Sequence, residues 1–233
     1  MHHNPPPLAI VTGASSGIGL AIAERLLRDG WHVRGISRRA PPIAHAAFEH
    51  VAADLADAQE ADRVAASIGT PHALIHAAGV LHAAPLQALG TAHGERMWRL
   101  HVDAATRLAS AVLPRMADAG VGRMVLIGSR VSAGMPGRSQ YAATKAALVA
   151  LARSWAAEVV ARGVTVNVVA PAATETAMLD DPSRAASQPK LPPLGRLIRP
   201  DEVAALVAYL LGHEAAAITG QEIVICGGAS LAR

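Results

Sequence analysis

Leu8-Ala9-Ile10-Val11-Thr12-Gly13-Ala14-Ser15-Ser16-Gly17-Ile18-Gly19 is the stretch that decides the fold. Four apolar residues make a short strand, and glycines spaced Gly-x-x-x-Gly-x-Gly make a turn. Residues 20–28 then place Leu20, Ala23, Leu26 and Leu27 on one side of an amphipathic helix. In that order the three parts bring backbone N–H groups and the positive end of a helix dipole to one point, as a pyrophosphate requires. The spacing differs from the better-known Gly-x-Gly-x-x-Gly, and glycines also occur in many turns for conformational reasons. The rest of the chain has to carry part of the argument.

Outward from this unit, strand-like and helix-like segments alternate through all 233 residues. Strands are expected at 8–11, 32–37, 51–53, 73–76, 124–127, 164–169 and 222–225, with long helices over 97–116 and 141–161. The alternation predicts an α/β fold: a Rossmann-type, doubly wound parallel sheet of about seven strands with helices on both faces. Nothing marks a second domain, so 1–233 reads as one dinucleotide-binding unit. Residues 1–7 are expected to be a flexible N-terminus. Residues 180–200, rich in Pro and in small or charged side chains, are expected to form a loop over a substrate site.

The chemistry is concentrated in Tyr141 and Lys145, with Ser129 upstream. Positions i and i+4 share a helix face, so the ammonium can approach the phenol. A phenol ordinarily titrates near pH 10, and moving it to neutrality takes roughly 4 kcal/mol. One positive charge at about 4 Å supplies that much at an effective dielectric near 20. Tyr141 is thereby suited to proton transfer at a hydroxyl-bearing carbon. Ser129 follows the apolar run Leu126-Ile127, where its hydroxyl could donate to a carbonyl oxygen.

With these residues in view the chain resembles the short-chain dehydrogenase/reductase family over nearly its whole length. Thr12, Gly13, Ser15, Ser16, Gly17, Ile18 and Gly19 match the family's cofactor loop, Asp54-Leu55 the pair facing the adenine, and Ala78-Gly79 the segment after the fourth strand. Ser129, Tyr141 and Lys145 match the catalytic serine and Tyr-x-x-x-Lys motif. Asn167-Val168-Val169-Ala170-Pro171, running on to Thr174 and Thr176, is similar to the segment near the nicotinamide. The resemblance implies a nicotinamide cofactor, with Tyr141 transferring the proton, Lys145 lowering its pKa and binding the ribose, and Ser129 orienting the carbonyl. It implies no metal.

The chain departs from the family at three places. His101 stands where the family usually has an Asn in the proton relay, and an imidazole can serve as a relay or simply as helix packing. The family's Asn-Asn-Ala-Gly reads His76-Ala77-Ala78-Gly79, and its Pro-Gly reads Pro171-Ala172. At the end of the second strand, where an acidic residue would select NAD, the chain has Ser37-Arg38-Arg39. Two guanidinium groups suit a 2′-phosphate, which favours NADP(H) with NAD(H) as the alternative.

Other functions recede. The formal charge is +3, the basic residues are dispersed, and one Phe, two Tyr and three Trp offer little stacking surface for nucleic acid. The eleven His show no metal-ligand spacing, the single Cys226 allows no internal disulfide and reads as a small buried residue, and no apolar run spans a bilayer. A cytoplasmic enzyme is expected. The layout is similar to the 3-oxoacyl-[acyl-carrier-protein] reductase branch, whose partner is an acidic carrier. Arg162 matches one basic position of that branch, while Asp118 lies where a basic cluster often occurs. A small ketone or alcohol remains open, with Leu81, Val131, Met135, Met178 and Leu179 as candidate pocket residues, as do an NAD-dependent alcohol or diol dehydrogenase and a non-catalytic NADP(H)-binding regulator. The family implies a homotetramer, or a dimer, assembled through the two long helices and the last strand.

Overall fold

The structure is a computed structural model that describes residues 6–180 and 190–231. Seven strands form one parallel sheet in the order β3-β2-β1-β4-β5-β6-β7: β1 Leu8–Thr12, β2 His32–Ser37, β3 Phe48–Ala52, β4 Ala73–His76, β5 Gly122–Ile127, β6 Val164–Pro171 and β7 Glu222–Ile225. The chain builds outward from β1 through β2 to β3, returns to β4 beside β1, and then builds the other way. This reversal opens a crevice beyond the C-terminal ends of β1 and β4, where open α/β sheets bind ligands.

Helices cover both faces because the central strands are apolar on both. Every residue of β4 and of β6 is buried, as a parallel strand between two helical layers requires. One face packs against α2 (Ala58–Ser67), α4 (Ala104–Asp118) and α5 (Ser139–Val159), burying Leu74, Leu108, Met116, Met124 and Leu148. The other packs against α1 (Gly17–Arg28) and α6 (Pro200–Leu211), burying Ile22, Leu26, Ile75, Val125 and Val207.

Several boundaries differ from the sequence expectation. The third strand is Phe48–Ala52 rather than 51–53: it is an edge strand with no fully buried residue, so hydrophobicity marks it poorly. The first and sixth strands run on to Thr12 and Pro171. The helix expected over 97–116 is three pieces: α3 Thr91–Trp98, a π-helical turn Arg99–Asp103, and α4. At its end the Ala104 N–H bonds Arg99 O, five residues back. Cys226 is half-buried instead of buried.

The expected 180–200 loop falls partly outside the described residues, as do residues 1–5 of the expected N-terminal segment. From 190 to 199 the chain is irregular and tied down at its far end. Ile198 bridges Thr174, and Arg196 grips Glu202 of α6 with two bonds of 2.8 and 2.7 Å. Among the described residues no helix is long and apolar enough to cross a membrane.

Candidate active site

A cavity of about 890 Å³ lies at the C-terminal edge of the sheet. Its wall includes every residue that the sequence suggested for cofactor binding except Thr12, which lies beneath it. Ser129, Tyr141 and Lys145 line it too, whereas His101 is fully buried behind the wall.

The glycine turn works by close approach. Gly13 has φ +70, and a Cβ there would stand 2.8 Å from the Ala78 Cα; a Cβ on Gly19 would stand 2.3 Å from Gly13 O. Larger residues would push α1 away from the turn and from the segment after β4. Ser16, the N-cap of α1, makes no side-chain cap bond, and the first turn holds no acidic residue. The helix N-terminus therefore offers its N–H groups and dipole to the cavity. At the end of β2, Arg38 and Arg39 are exposed, face the cavity and enter no ion pair among the described residues, whereas the Ser37 hydroxyl is used internally, donating to Arg39 O at 2.7 Å. Asp54 lies near Arg96 at 3.6 Å. These groups fit a dinucleotide.

Beneath the cavity a hydrogen-bond network fixes the tautomers of two histidines. The Thr12 hydroxyl accepts from the N–H groups of Ala77 and Ala78 at 3.1 and 3.0 Å, so its proton points to His76 Nδ1 at 3.1 Å. The other nitrogen, Nε2, donates to Leu100 O at 3.1 Å. His101 is polarised the opposite way. Its Nε2 accepts from the Val80 N–H at 3.0 Å, so Nδ1 carries the proton and donates to Thr144 Oγ1 at 2.8 Å, which in turn donates to Tyr141 O. Burial and the nearby Lys145 lower the pKa of both, that of His76 to about 4 and that of His101 well below the ordinary 6.5. Both rings are neutral at physiological pH. Together they join the glycine turn, the segment after β4, the π-helical turn and α5 into one frame.

The reacting groups sit on that frame. Ser129, two residues past β5, caps a 3-10 turn over Arg130–Ala133 and accepts from the Val131 N–H at 3.3 Å, leaving its own proton to donate elsewhere. Tyr141 and Lys145 are buried on one face of α5. Lys145 Nζ donates to Ile127 O at 2.8 Å and lies 5.7 Å from the Tyr141 ring centroid. Burial lowers the Lys145 pKa to about 7. Beyond this set the wall combines an apolar surface, formed by Leu81, Val131, Met135, Met178 and Leu179 together with Leu191 and Pro192 of the 190–199 segment, with the basic side chains of Arg130, Arg138 and Lys190.

Sequence reasoning did not single out His76 or Thr144 as parts of a network. A histidine closing a fully apolar strand is the available signal, since a buried imidazole needs partners for both nitrogens. Arg130, Arg138 and Lys190 were also missed, although all three line the cavity. No group of three His, Cys, Asp or Glu among the described residues could hold a metal ion.

Comparison with known proteins extends these observations. A family profile described as enoyl-(acyl carrier protein) reductase matches residues 13–230. The chain is 36% identical over 236 residues to the 3-oxoacyl-[acyl-carrier-protein] reductase of Escherichia coli (strain K12), covering 95% of this chain and 96% of that one. It is 33% identical over 238 residues to the D-threitol dehydrogenase of Mycolicibacterium smegmatis, covering 95% and 92%. Among solved structures, a short chain dehydrogenase/reductase family protein superposes with a TM-score of 0.89 at 33% identity, covering 97% and 98%. A putative NAD(P)-dependent gluconate 5-dehydrogenase from Beutenbergia cavernae, with bound NADP, gives 0.86 at 32% identity, covering 97% of each chain. Similarity that runs the length of the molecule, in sequence and in fold alike, places this chain in the short-chain dehydrogenase/reductase family.

Proposed function

We propose that the protein is an NADP(H)-dependent oxidoreductase that interconverts a ketone and a secondary alcohol, with Tyr141 as the proton-transfer group. The observation that carries this reading is the placement of Ser129, Tyr141 and Lys145 on the wall of one cavity whose other end presents a helix N-terminus with no side-chain cap bond and two arginines that enter no ion pair among the described residues. The α1 N-terminus would hold the pyrophosphate, Arg38 and Arg39 the 2′-phosphate, and Lys145 the nicotinamide ribose. The bound cofactor supplies a hydride to the carbonyl carbon. Ser129 donates a hydrogen bond to the carbonyl oxygen, Tyr141 delivers the proton that completes the alcohol, and Lys145, poised near neutrality, returns a proton to the phenolate. Oxidation runs the same steps backward. His101, with both nitrogens engaged, acts as a positioning residue: a proton could pass through it only by breaking its bond to Val80 or to Thr144.

Reduction of a 3-oxoacyl thioester is a second reading, favoured by similarity to enzymes of that name. Against a carrier-docking surface, Arg162 is already paired with Asp118 at 3.3 Å. We further place the enzyme in the cytoplasm as a homotetramer. Substituting Tyr141→Phe tests the function: turnover should fall by about a thousandfold or more while NADPH still binds. Unchanged turnover would refute the mechanism, and a variant with full NADPH affinity derived from a parent inactive on every carbonyl would indicate a non-catalytic binder.

A further inference from the structure

We propose that the substrate carries a carboxylate close to its reacting carbon and that Arg130 recognises it, making this enzyme specific for an oxo acid or the corresponding hydroxy acid. The proposal rests on the ketone and alcohol reading above and adds the chemical class to it.

The cavity is unevenly charged. At its cofactor end Arg96 lies 3.6 Å from Asp54, and Arg38 and Arg39 line the wall where the proposed function puts the ribose phosphate. At the other end Arg130, Arg138 and Lys190 line the wall, and no carboxylate joins them: Asp54 is the one acidic side chain among the described lining residues. A dinucleotide extending from the glycine turn to Lys145 neutralises the first group and leaves the second.

Within the second group Arg130 has the most to offer. It follows Ser129 directly and is half-buried on the 3-10 turn that Ser129 caps. Among the described residues its guanidinium donates one bond, to Ala229 O at 3.4 Å, and enters no ion pair. A guanidinium has five N–H donors in a planar fork and stays protonated, so most of that capacity is left unused by the described residues at the cavity wall. Arg138, buried one turn before Tyr141, has interactions of its own and adds positive potential to the same wall. The neighbouring surface is apolar, formed by Leu81, Val131 and Met135. A short carbon skeleton ending in a carboxylate matches both features, since the planar fork binds a carboxylate through two parallel bonds. Because Arg130 adjoins Ser129 in the chain and both line the same cavity, one short carbon skeleton can present its carbonyl to Ser129 and its acid group to Arg130. The phosphate of a pantetheine thioester is too far along its chain to meet that condition.

The experiment compares NADPH oxidation with 2-, 3- and 4-oxo acids, each against its methyl ester, in the parent protein and in Arg130→Gln and Arg130→Lys. The expected result is an acid favoured over its ester by about tenfold or more in kcat/KM for at least one chain length, with Arg130→Gln lowering that ratio by about ten- to a hundredfold, chiefly through KM. Arg130→Lys should restore part of it. Retention of NADPH binding, followed by fluorescence, shows that each variant is folded. Equal use of acid and ester at every length, turnover of neutral ketones or acyl thioesters alone, or an unchanged ratio in Arg130→Gln would overturn the proposal while leaving the oxidoreductase reading intact. Failure of the parent on every carbonyl would instead remove the reading on which it rests.

Discussion

The two ends of the cavity are built differently. At the cofactor end the wall follows the C-terminal edges of β1, β2 and β4 and is tied to the Thr12, His76 and His101 network. There a side chain longer than hydrogen does not fit at Gly13 or Gly19. At the substrate end the wall is side chains from the turn after Ser129, from residues 190–193 and from Ala229 and Leu231, segments that lie far apart in the chain and belong to no strand. Recognition of a common cofactor is thus written into the frame. Recognition of one substrate is laid over it, in parts that can change without disturbing the sheet.

Substitutions should separate the ends by what they move. The largest effect is expected at the junction, with Lys145→Met. Activity should fall by about a thousandfold, yet the cofactor-free protein should melt at a higher temperature at pH 7. The Lys145 pKa of about 7, against the ordinary 10.5, means that the folded protein holds fewer protons across that window, so its stability rises with pH there. At neutral pH the cost of the buried amine has an upper bound of about 4–5 kcal/mol. A lower melting temperature for the variant would show that its bond to Ile127 O outweighs that cost.

Arg38→Ala combined with Arg39→Ala should lower kcat/KM for NADPH by about a hundredfold and leave that for NADH within about threefold. A parallel loss with both cofactors would remove these arginines from phosphate recognition. The frame itself should be acid-sensitive. His76 titrates near 4 in the folded protein and near 6.5 when unfolded, so the stabilisation it gives is complete above about pH 6.5 and declines as the pH falls toward 4. Over that interval the loss from His76 alone should be about 3 kcal/mol, with His101 acting in the same direction. Urea midpoints at pH 7.5, 6 and 5 check this, and a flat series would mean that the rings are not held neutral. The smallest change in stability is expected at the substrate end. Leu191 is 59% exposed, so Leu191→Ala should alter stability by less than about 0.5 kcal/mol while raising the substrate KM a few-fold. A clear drop in melting temperature would erase the distinction between the ends.

The same distinction governed what could be read before any coordinates. The strand, glycine turn and helix at residues 8–28 are contiguous, as are Tyr141 and Lys145, so local spacing was enough to place them. The edge strand β3 was misplaced because no residue in it is fully buried. The π-helical turn escaped because one wide turn leaves the apolar pattern on either side intact. The histidine network and the arginines of the substrate wall were hidden for a further reason: Thr12 meets His76, and Arg130 meets Ala229, across 64 and 99 residues of chain. The periodicity of a sequence does not encode such pairings.

With its pKa lowered by burial to about 7, the Lys145 amine is also able to take up a proton when its surroundings change. The negative charge of a dinucleotide bound along the same cavity would favour the charged form of that amine, so above about pH 7 each molecule of dinucleotide captured should draw a fraction of a proton from solution. Binding heats measured in buffers of different ionisation enthalpy should differ accordingly, and dinucleotide affinity should weaken as the medium becomes alkaline.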